Sequence, residues 1–133
     1  MSVFGSQFLW GASTAAAQIE GGYLDDGRTK SIWDVAPASK IKNGETCHIA
    51  CDHYHRYKED VAIMKEIGVK SYRFSVSWSR VIPKEGVINE KGIAFYSSLI
   101  DELISSGIEP VVTLYHWDLP LWAEEKGGWR IRI

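Results

Sequence analysis

The sequence predicts an α/β fold built on parallel strands, and three observations lead there. Strand-like runs occupy residues 8–15, 69–78 and 109–117, and amphipathic helical patterns lie before the second run and between the second and third. Glycines stand where those helices should end, at Gly68 and Gly107. Strands alternating with helices imply parallel pairing through right-handed crossovers. The alternation alone allows an open doubly wound sheet and a (β/α)₈ barrel equally. No internal repeat, linker or low-complexity stretch divides residues 1–133, which read as one domain or part of one.

In chain order, residues 8–15 form a strand whose second half is Gly and small residues. Residues 20–30 are a Gly- and Asp-rich loop, Ser31 caps a short turn carrying Trp33, and residues 36–45 are again loop. A helix spans about 52–67, with Asp52 as its N-cap and Tyr54, Tyr57, Val61 and Met64 on its buried face. The second strand alternates, with Tyr72, Phe74 and Val76 on one side and Arg73, Ser75 and Ser77 on the other. After a loop marked by Pro83 and Gly86, Asn89 caps a second helix whose stripe is Ile93, Tyr96, Ile100 and Leu103. Val111, Val112 and Leu114 make a buried third strand, and Tyr115, His116, Trp117 and Asp118 crowd its carboxyl end. Polar groups just beyond a buried parallel strand are the usual address of an α/β site. A further helix opens over 121–126.

The 133 residues carry a net charge of −2, so no general attraction to nucleic acid or anionic membranes is expected. No apolar run reaches the length of a membrane span. The run after Phe8 lacks a preceding Lys or Arg and is diluted by Gly11, Ser13 and Thr14, so it reads as fold rather than signal peptide. Two cysteines give no disulfide framework, and the cytoplasm is the expected compartment. Six Trp and six Tyr suit sugar stacking, but most aromatic rings of a domain simply pack in its core.

Residues 47–55 contain Cys47, His48, Cys51, His53 and His55, a cluster that suggests a metal. On a helix His53 and His55 diverge, and only Cys51 and His55 have the spacing to meet. Two ligands fall short of the four of a closed zinc site, so no metal is expected. Dinucleotide, phosphate-loop and serine-hydrolase motifs are absent, and no cofactor is expected. Arg73 on the polar side of the second strand, if it faces a barrel interior, must find an anion or a ring of hydrogen-bond acceptors, and by spacing alone a structural salt bridge at the strand end is the simpler account.

Taken together, FLWGASTAAAQIEG, SIWD, DHYHRYKEDV, YRFSVSWSR and TLYHWDLP resemble, in order, the start of a family 1 glycoside hydrolase, the β-glucosidase family. The resemblance runs from Phe8 to about Trp129. It implies the first three or so βα units of a (β/α)₈ barrel, an incomplete barrel, since a complete one needs about 250 residues. It also implies that Gln18 and His116 hydrogen-bond hydroxyls of a non-reducing sugar, that Trp117 borders the same subsite, and that Arg73 stands beside a nucleophilic glutamate, holding it ionised. Retaining hydrolysis uses two glutamates about 5–5.5 Å apart. The family carries them in T-x-N-E-P and E-N-G motifs, neither of which occurs here. No catalytic residue is therefore assigned, and Glu20, Asp118, Glu124 and Glu125 are not promoted to that role. The ending Arg130-Ile131-Arg132-Ile133 departs from the polar continuation expected of the family, as a truncated or frame-shifted gene or a cut chain would.

The residues thus support two expectations of different kinds. The chain is the substrate-side part of a β-glycosidase, its partner a β-glycoside, inactive by itself. Alternatively it is a non-catalytic module that self-associates or pairs with a complementary C-terminal fragment through exposed strand edges. A weak sugar-binding module using Gln18, His116 and Trp117 ranks below both.

Overall fold

Three parallel strands, β1 (Gly11–Ser13), β2 (Ser71–Ser75) and β3 (Glu109–Thr113), form one sheet in that order. The computed structural model describes residues 3–131, so the final Arg132 and Ile133 of the departing tail lie outside the described residues. Register is continuous: Gly11 pairs with Ser71, and Ser71 with Glu109. Gly11 is required at its place, because a Cβ there would sit 2.7 Å from the Ser71 carbonyl oxygen. All three strands are shorter than their sequence patterns. After β2 the chain turns at Ser77 into a single helical turn, so the alternation expected through Trp78 stops early.

The helices are α1 (Ala16–Ile19), α2 (His53–Glu66), α3 (Trp78–Val81), α4 (Glu90–Ser105) and α5 (Leu121–Glu125). Short 3₁₀ turns at Asp25–Gly27, Ile32–Val35, Ala38–Lys40 and Lys42–Gly44 fill the segment between α1 and α2. The turn carrying Trp33 is thus where Ser31 predicts it. Helix α1 fills the four residues between the predicted strand over 8–15 and the predicted loop over 20–30, to which the sequence pattern assigned no element. Gly68 and Gly107 take positive φ of 85° and 74° and end α2 and α4.

Tyr54 and Val61 of α2 are buried, with Tyr57 and Met64 packed against them, as the stripe predicts. Helix α4 turns slightly from its predicted face. Tyr96, Leu99, Leu103 and Phe95 are buried, whereas Ile93 is exposed. With Tyr72, Phe74, Val81 and Ile108 they form one core between the helices and one face of the sheet. Burial of each such side chain contributes about 1.5–3 kcal/mol. Gly92 lets α4 approach closely, since a Cβ there would lie 2.5 Å from the Arg80 carbonyl oxygen.

The two predicted caps differ from expectation. Asp52 precedes α2 with φ of 56°, and its carboxylate receives His55 Nδ1 at 2.6 Å instead of a first-turn amide. Asn89 precedes α4, but its amide donates to the Asp26 and Arg80 carbonyls at 2.9 and 2.8 Å. It ties the loop before α4 to the preceding helical turn and to the distant Asp26 turn rather than capping the helix.

The third strand is also corrected. Val111, Val112 and Leu114 are 44, 41 and 72 % exposed, because β3 is the sheet edge, with no further strand beside it among the described residues. No helix among the described residues is long and apolar enough to cross a membrane.

Candidate functional site

The site is assembled from the segments just past the carboxyl end of each strand. Beyond β1, α1 carries Gln18 outward and the chain then buries Glu20. Beyond β3, residues 114–120 carry His116 and Trp117, and then bury Asp118, Leu119 and Pro120. The Ile32 and Leu121 amides donate to the Leu119 and Lys30 carbonyls at 2.9 and 2.8 Å, which straps the third-strand loop to the turn carrying Trp33. Between these segments lies an open cleft of about 570 Å³ lined by Gln18, His116, Trp117, Trp33, Cys47 and His48, with several alanines. The three residues that the resemblance names for sugar binding therefore share one cleft. Arg73 does not line it.

Trp117 is 69 % exposed and adopts φ of 75°. A bulky residue in the left-handed region costs about 1–3 kcal/mol and persists only where its surroundings impose it. Here those surroundings are the strap and the buried Asp118-Leu119-Pro120 run. The Gln18 amide and His116 imidazole have no side-chain partner among the described residues, so both keep a donor and an acceptor for a ligand.

The opposite rim is organised by Asp34, which sequence reasoning missed. Its carboxylate accepts the Ser31 amide at 2.7 Å, the Ser31 hydroxyl at 2.9 Å and an Arg28 guanidinium N–H at 2.9 Å. Cys47 Sγ donates to its second oxygen at 3.6 Å, and His48, stacked on Tyr23, stands 3.9 Å from it. Burial, with the Asp34 charge adding, pushes the Cys47 thiol up and keeps it protonated. The Ser31-x-x-Asp34 spacing is that of a capping box and was the available signal.

Beneath the cleft runs a buried ionic network that no motif announces. Arg80 is fully buried and donates from Nε to Glu20 at 3.1 Å and from a terminal nitrogen to the Gly21 and Gly22 carbonyls. Its guanidinium lies 3.7 Å from the centre of the Tyr54 ring. Tyr96 donates to the other Glu20 oxygen at 2.5 Å and accepts the Ser77 amide at 2.8 Å. Arg80 and Tyr96 stand 60 and 76 positions from Glu20, beyond the reach of local patterns.

Arg73 is exposed, and its Nε donates to Thr113 Oγ1 at 2.7 Å. No salt bridge engages it among the described residues, so the ion-pair account from spacing is set aside. Ser75 and Ser77, placed on its side of the strand, are buried instead. Ser75 Oγ accepts the Ala16 amide at 2.8 Å and fixes the start of α1. In the Cys/His cluster, His53 pairs with Asp60 at 2.6 Å, while His55 lies between Asp52 and Asp25. No group of three metal-ligating side chains converges among the described residues.

Chemically, the cleft offers hydroxyl recognition and an aromatic surface. The carboxylates on its rim are engaged, Asp34 by four donors and Glu45 by the Asn43 amide at 3.2 Å. The model of glycosyl hydrolase family 1 matches residues 1–133. The chain belongs to glycosyl hydrolase family 1. It is 54 % identical over 132 residues to β-glucosidase A of Acetivibrio thermocellus, covering 97 % of the chain and 30 % of that enzyme. It is 59 % identical over 136 residues to the aryl-phospho-β-D-glucosidase BglC of Bacillus subtilis, covering 97 % and 28 %. Among solved structures, the family 1 β-glucosidase of Thermotoga maritima superposes with a TM-score of 0.92 at 51 % identity, over 95 % of the chain and 30 % of that enzyme. The same enzyme in complex with noeuromycin gives 0.91 at 52 %. The chain thus spans about 30 % of the length of these family 1 relatives.

Proposed function

We propose that this chain forms the sugar-recognising wall of a family 1 β-glycosidase, built on the first three strands of a (β/α)₈ barrel, and that by itself it does not cleave a glycosidic bond. The observation that carries this is the meeting of Gln18, His116 and Trp117 in one cleft with unengaged hydrogen-bonding groups. A neutral amide and imidazole match sugar hydroxyls, and an exposed indole offers an apolar face to a pyranose. Cleavage with retention needs an acid and a nucleophile about 5–5.5 Å apart. The rim carboxylates Asp34 and Glu45 are bonded elsewhere, and neither lies in a family motif for that chemistry. On the family pattern Arg73 serves a carboxylate supplied from outside this chain. Its exposure toward the uncovered side of the sheet agrees with that role.

Relatives named for β-glucosides and for phosphorylated aryl β-glucosides are both above half identical, so the class of glycoside is proposed no more narrowly than β-glycosides. The test is hydrolysis of an aryl β-glucoside by the purified chain. No turnover above a buffer control is expected, and turnover that co-purifies with the 15.0 kDa chain through every step overturns the proposal.

A second reading, association with another copy or with a complementary fragment, is favoured by the exposed Val111, Val112 and Leu114 on the β3 edge. Concentration-dependent sedimentation would establish it, and a monomer throughout would dismiss self-association. The cytoplasm remains the proposed compartment, resting on sequence alone.

A further inference from the structure

The Asp34 side chain is 1 % exposed, and its two carboxylate oxygens serve different parts of the cleft. Oδ2 accepts the Ser31 amide, the Ser31 hydroxyl and an Arg28 Nη2–H, at 2.7, 2.9 and 2.9 Å. Oδ1 accepts the Cys47 thiol at 3.6 Å and stands 3.9 Å from His48 Nε2. Each set leads to one wall. Ser31 is fully buried and pairs antiparallel with Pro120, between the Ile32–Leu119 and Leu121–Lys30 hydrogen bonds, so it holds the loop that presents His116 and Trp117. Cys47 and His48 belong to the opposite wall, together with the half-exposed Trp33 of Asp34's own turn. Arg28 closes the circuit: its Nη1 donates to the Tyr23 carbonyl at 2.8 Å, and the Tyr23 ring stacks on His48 with centres 3.7 Å apart. Four donors on one buried carboxylate make a firm junction, since hydrogen bonds to a charged acceptor in a low dielectric are strong and reinforce one another.

We propose that Asp34 is the positioning residue of the cleft: through Oδ2 it holds the Ser31 strap that places His116 and Trp117, through Oδ1 it holds the Cys47–His48 rim, and one carboxylate so fixes both walls. This deepens the sugar-wall reading and rests on it for its purpose, but not for its test. A ligand gains most from groups already set at the right spacing, because ordering them on binding subtracts from affinity. The division between the two oxygens is what an experiment can separate. In Asp34→Asn the amide oxygen takes the place of Oδ2, since an NH₂ there would face three N–H and O–H donors. Ser31 and Arg28 keep their acceptor, and Arg28 also keeps the Tyr23 and Thr29 carbonyls. The NH₂ then falls on Cys47 and His48, and the charge beside them is gone. Asp34→Ala removes both halves at once.

The test uses the 133-residue chain carrying Cys51→Ser, which leaves Cys47 as its one thiol. Alkylation of Cys47 by iodoacetamide at about pH 8 reads the Oδ1 side, and the NMR signal of the Trp117 indole reads the Oδ2 side. Burial, then the Asp34 charge and hydrogen bond, push the Cys47 thiol up, while its own backbone amide and Arg28 act the other way. Asp34→Asn should therefore speed alkylation about fivefold or more. It should also leave the Trp117 signal where the parent has it. Asp34→Ala should displace Trp117 as well, although its hydrogen bonds reach that loop only through Ser31. Leu103→Ala, in the helical core, is the control, expected to cost stability without moving Trp117. An unmoved Trp117 in folded Asp34→Ala overturns the proposal, as does an equal displacement in the control or an unchanged alkylation rate in Asp34→Asn. Should neither Asp34 variant fold, hydrogen exchange of the parent decides. The Ser31, Ile32 and Leu121 amides should then share one protection factor within about threefold, and amides that open separately overturn the proposal. Glucose added to the parent is a separate readout: no shift at Trp33 or Trp117 would remove only the sugar-wall reading.

Discussion

The two faces of the sheet are in opposite conditions. On the helix side, Tyr72 and Phe74 of β2 meet α2 and α4 in a closed core, and even the charged Arg80 is sealed among Glu20, Tyr96 and the Tyr54 ring. On the other side Arg73 and its register partner Val111 stand open. One face is finished by residues of this chain, and the other has no cover among its described residues. The difference teaches where stability and recognition are stored. Stability lies under the helices, and the proposed recognition lies at the carboxyl ends of the strands, where Gln18, His116 and Trp117 share a cleft.

If that contrast is right, the largest loss comes from breaking the sealed ion pair. Removing one partner of a buried pair leaves an uncompensated charge and costs about 3–5 kcal/mol. Glu20→Ala strands Arg80, which has no other carboxylate partner among the described residues, and also deprives Tyr96 of its acceptor. Urea denaturation followed by tryptophan fluorescence should show a loss of that size or an unfolded chain. A change under about 1 kcal/mol would mean that water reaches the pair, and that the helix side is less sealed than its geometry indicates.

The next effect separates Asp118 from Glu20. Burial raises the Asp118 carboxyl to about 7, so the folded chain holds a proton that the unfolded chain releases near pH 4. Stability is then highest in acid and declines as pH rises through 7. For this group alone the decline between pH 5 and 8 is about 2–3 kcal/mol. Asp118→Asn should remove it, leaving a variant more stable than the parent at pH 8. Denaturation midpoints of both proteins at the two pH values measure this, and parallel pH profiles would contradict it.

These two carboxyls also show what was legible in the sequence. Alternating strands and helices, the stops at Gly68 and Gly107, the α2 stripe and the turn at Ser31 are set by local propensity and periodicity, and they stand. Gln18, His116 and Trp117 came from ordered motifs, and the chain does bring them to one cleft. What local pattern misses depends on partners far away. Asn89 has the chemistry of a cap, but its amide is taken by the Arg80 carbonyl and by that of Asp26, 63 positions away; Asp52 is the local exception, turned to His55 by its left-handed backbone. Val111 and Leu114 look buried because their type suits a central strand, whereas exposure is decided by which strand lies next to theirs. The Glu20–Arg80–Tyr96 network joins three segments that meet only after folding.

A smaller effect tests how closely the helix side is fitted. Gly92→Ala replaces the poorest ordinary helix former by the best, a gain of about 1 kcal/mol in an open helix. Here the new Cβ would stand 2.5 Å from a backbone carbonyl, which has no rotamer to give way. Displacing α4 from α3 should cost about 1–3 kcal/mol, so a net destabilisation of up to about 2 kcal/mol is expected. A more stable variant would show that the two helices slide freely.

The smallest effect belongs to the open face, and its smallness is the point. Arg73 is solvated, and its side chain donates to the Thr113 hydroxyl rather than to any carboxylate among the described residues. Arg73→Ala should change stability by no more than about 0.5 kcal/mol. Arg80→Ala, on the helical turn just after the same strand, should unfold the chain or come close to it, because it leaves Glu20 buried without a cation. The guanidinium is the same group in both places, so the contrast isolates the environment from the chemistry. An arginine that contributes nothing to the fold around it is free to serve a carboxylate brought to that face from elsewhere. If Arg73→Ala proved strongly destabilising in the 133-residue chain, the arginine would be a structural member of the sheet, and its proposed service to a glutamate would lose its support.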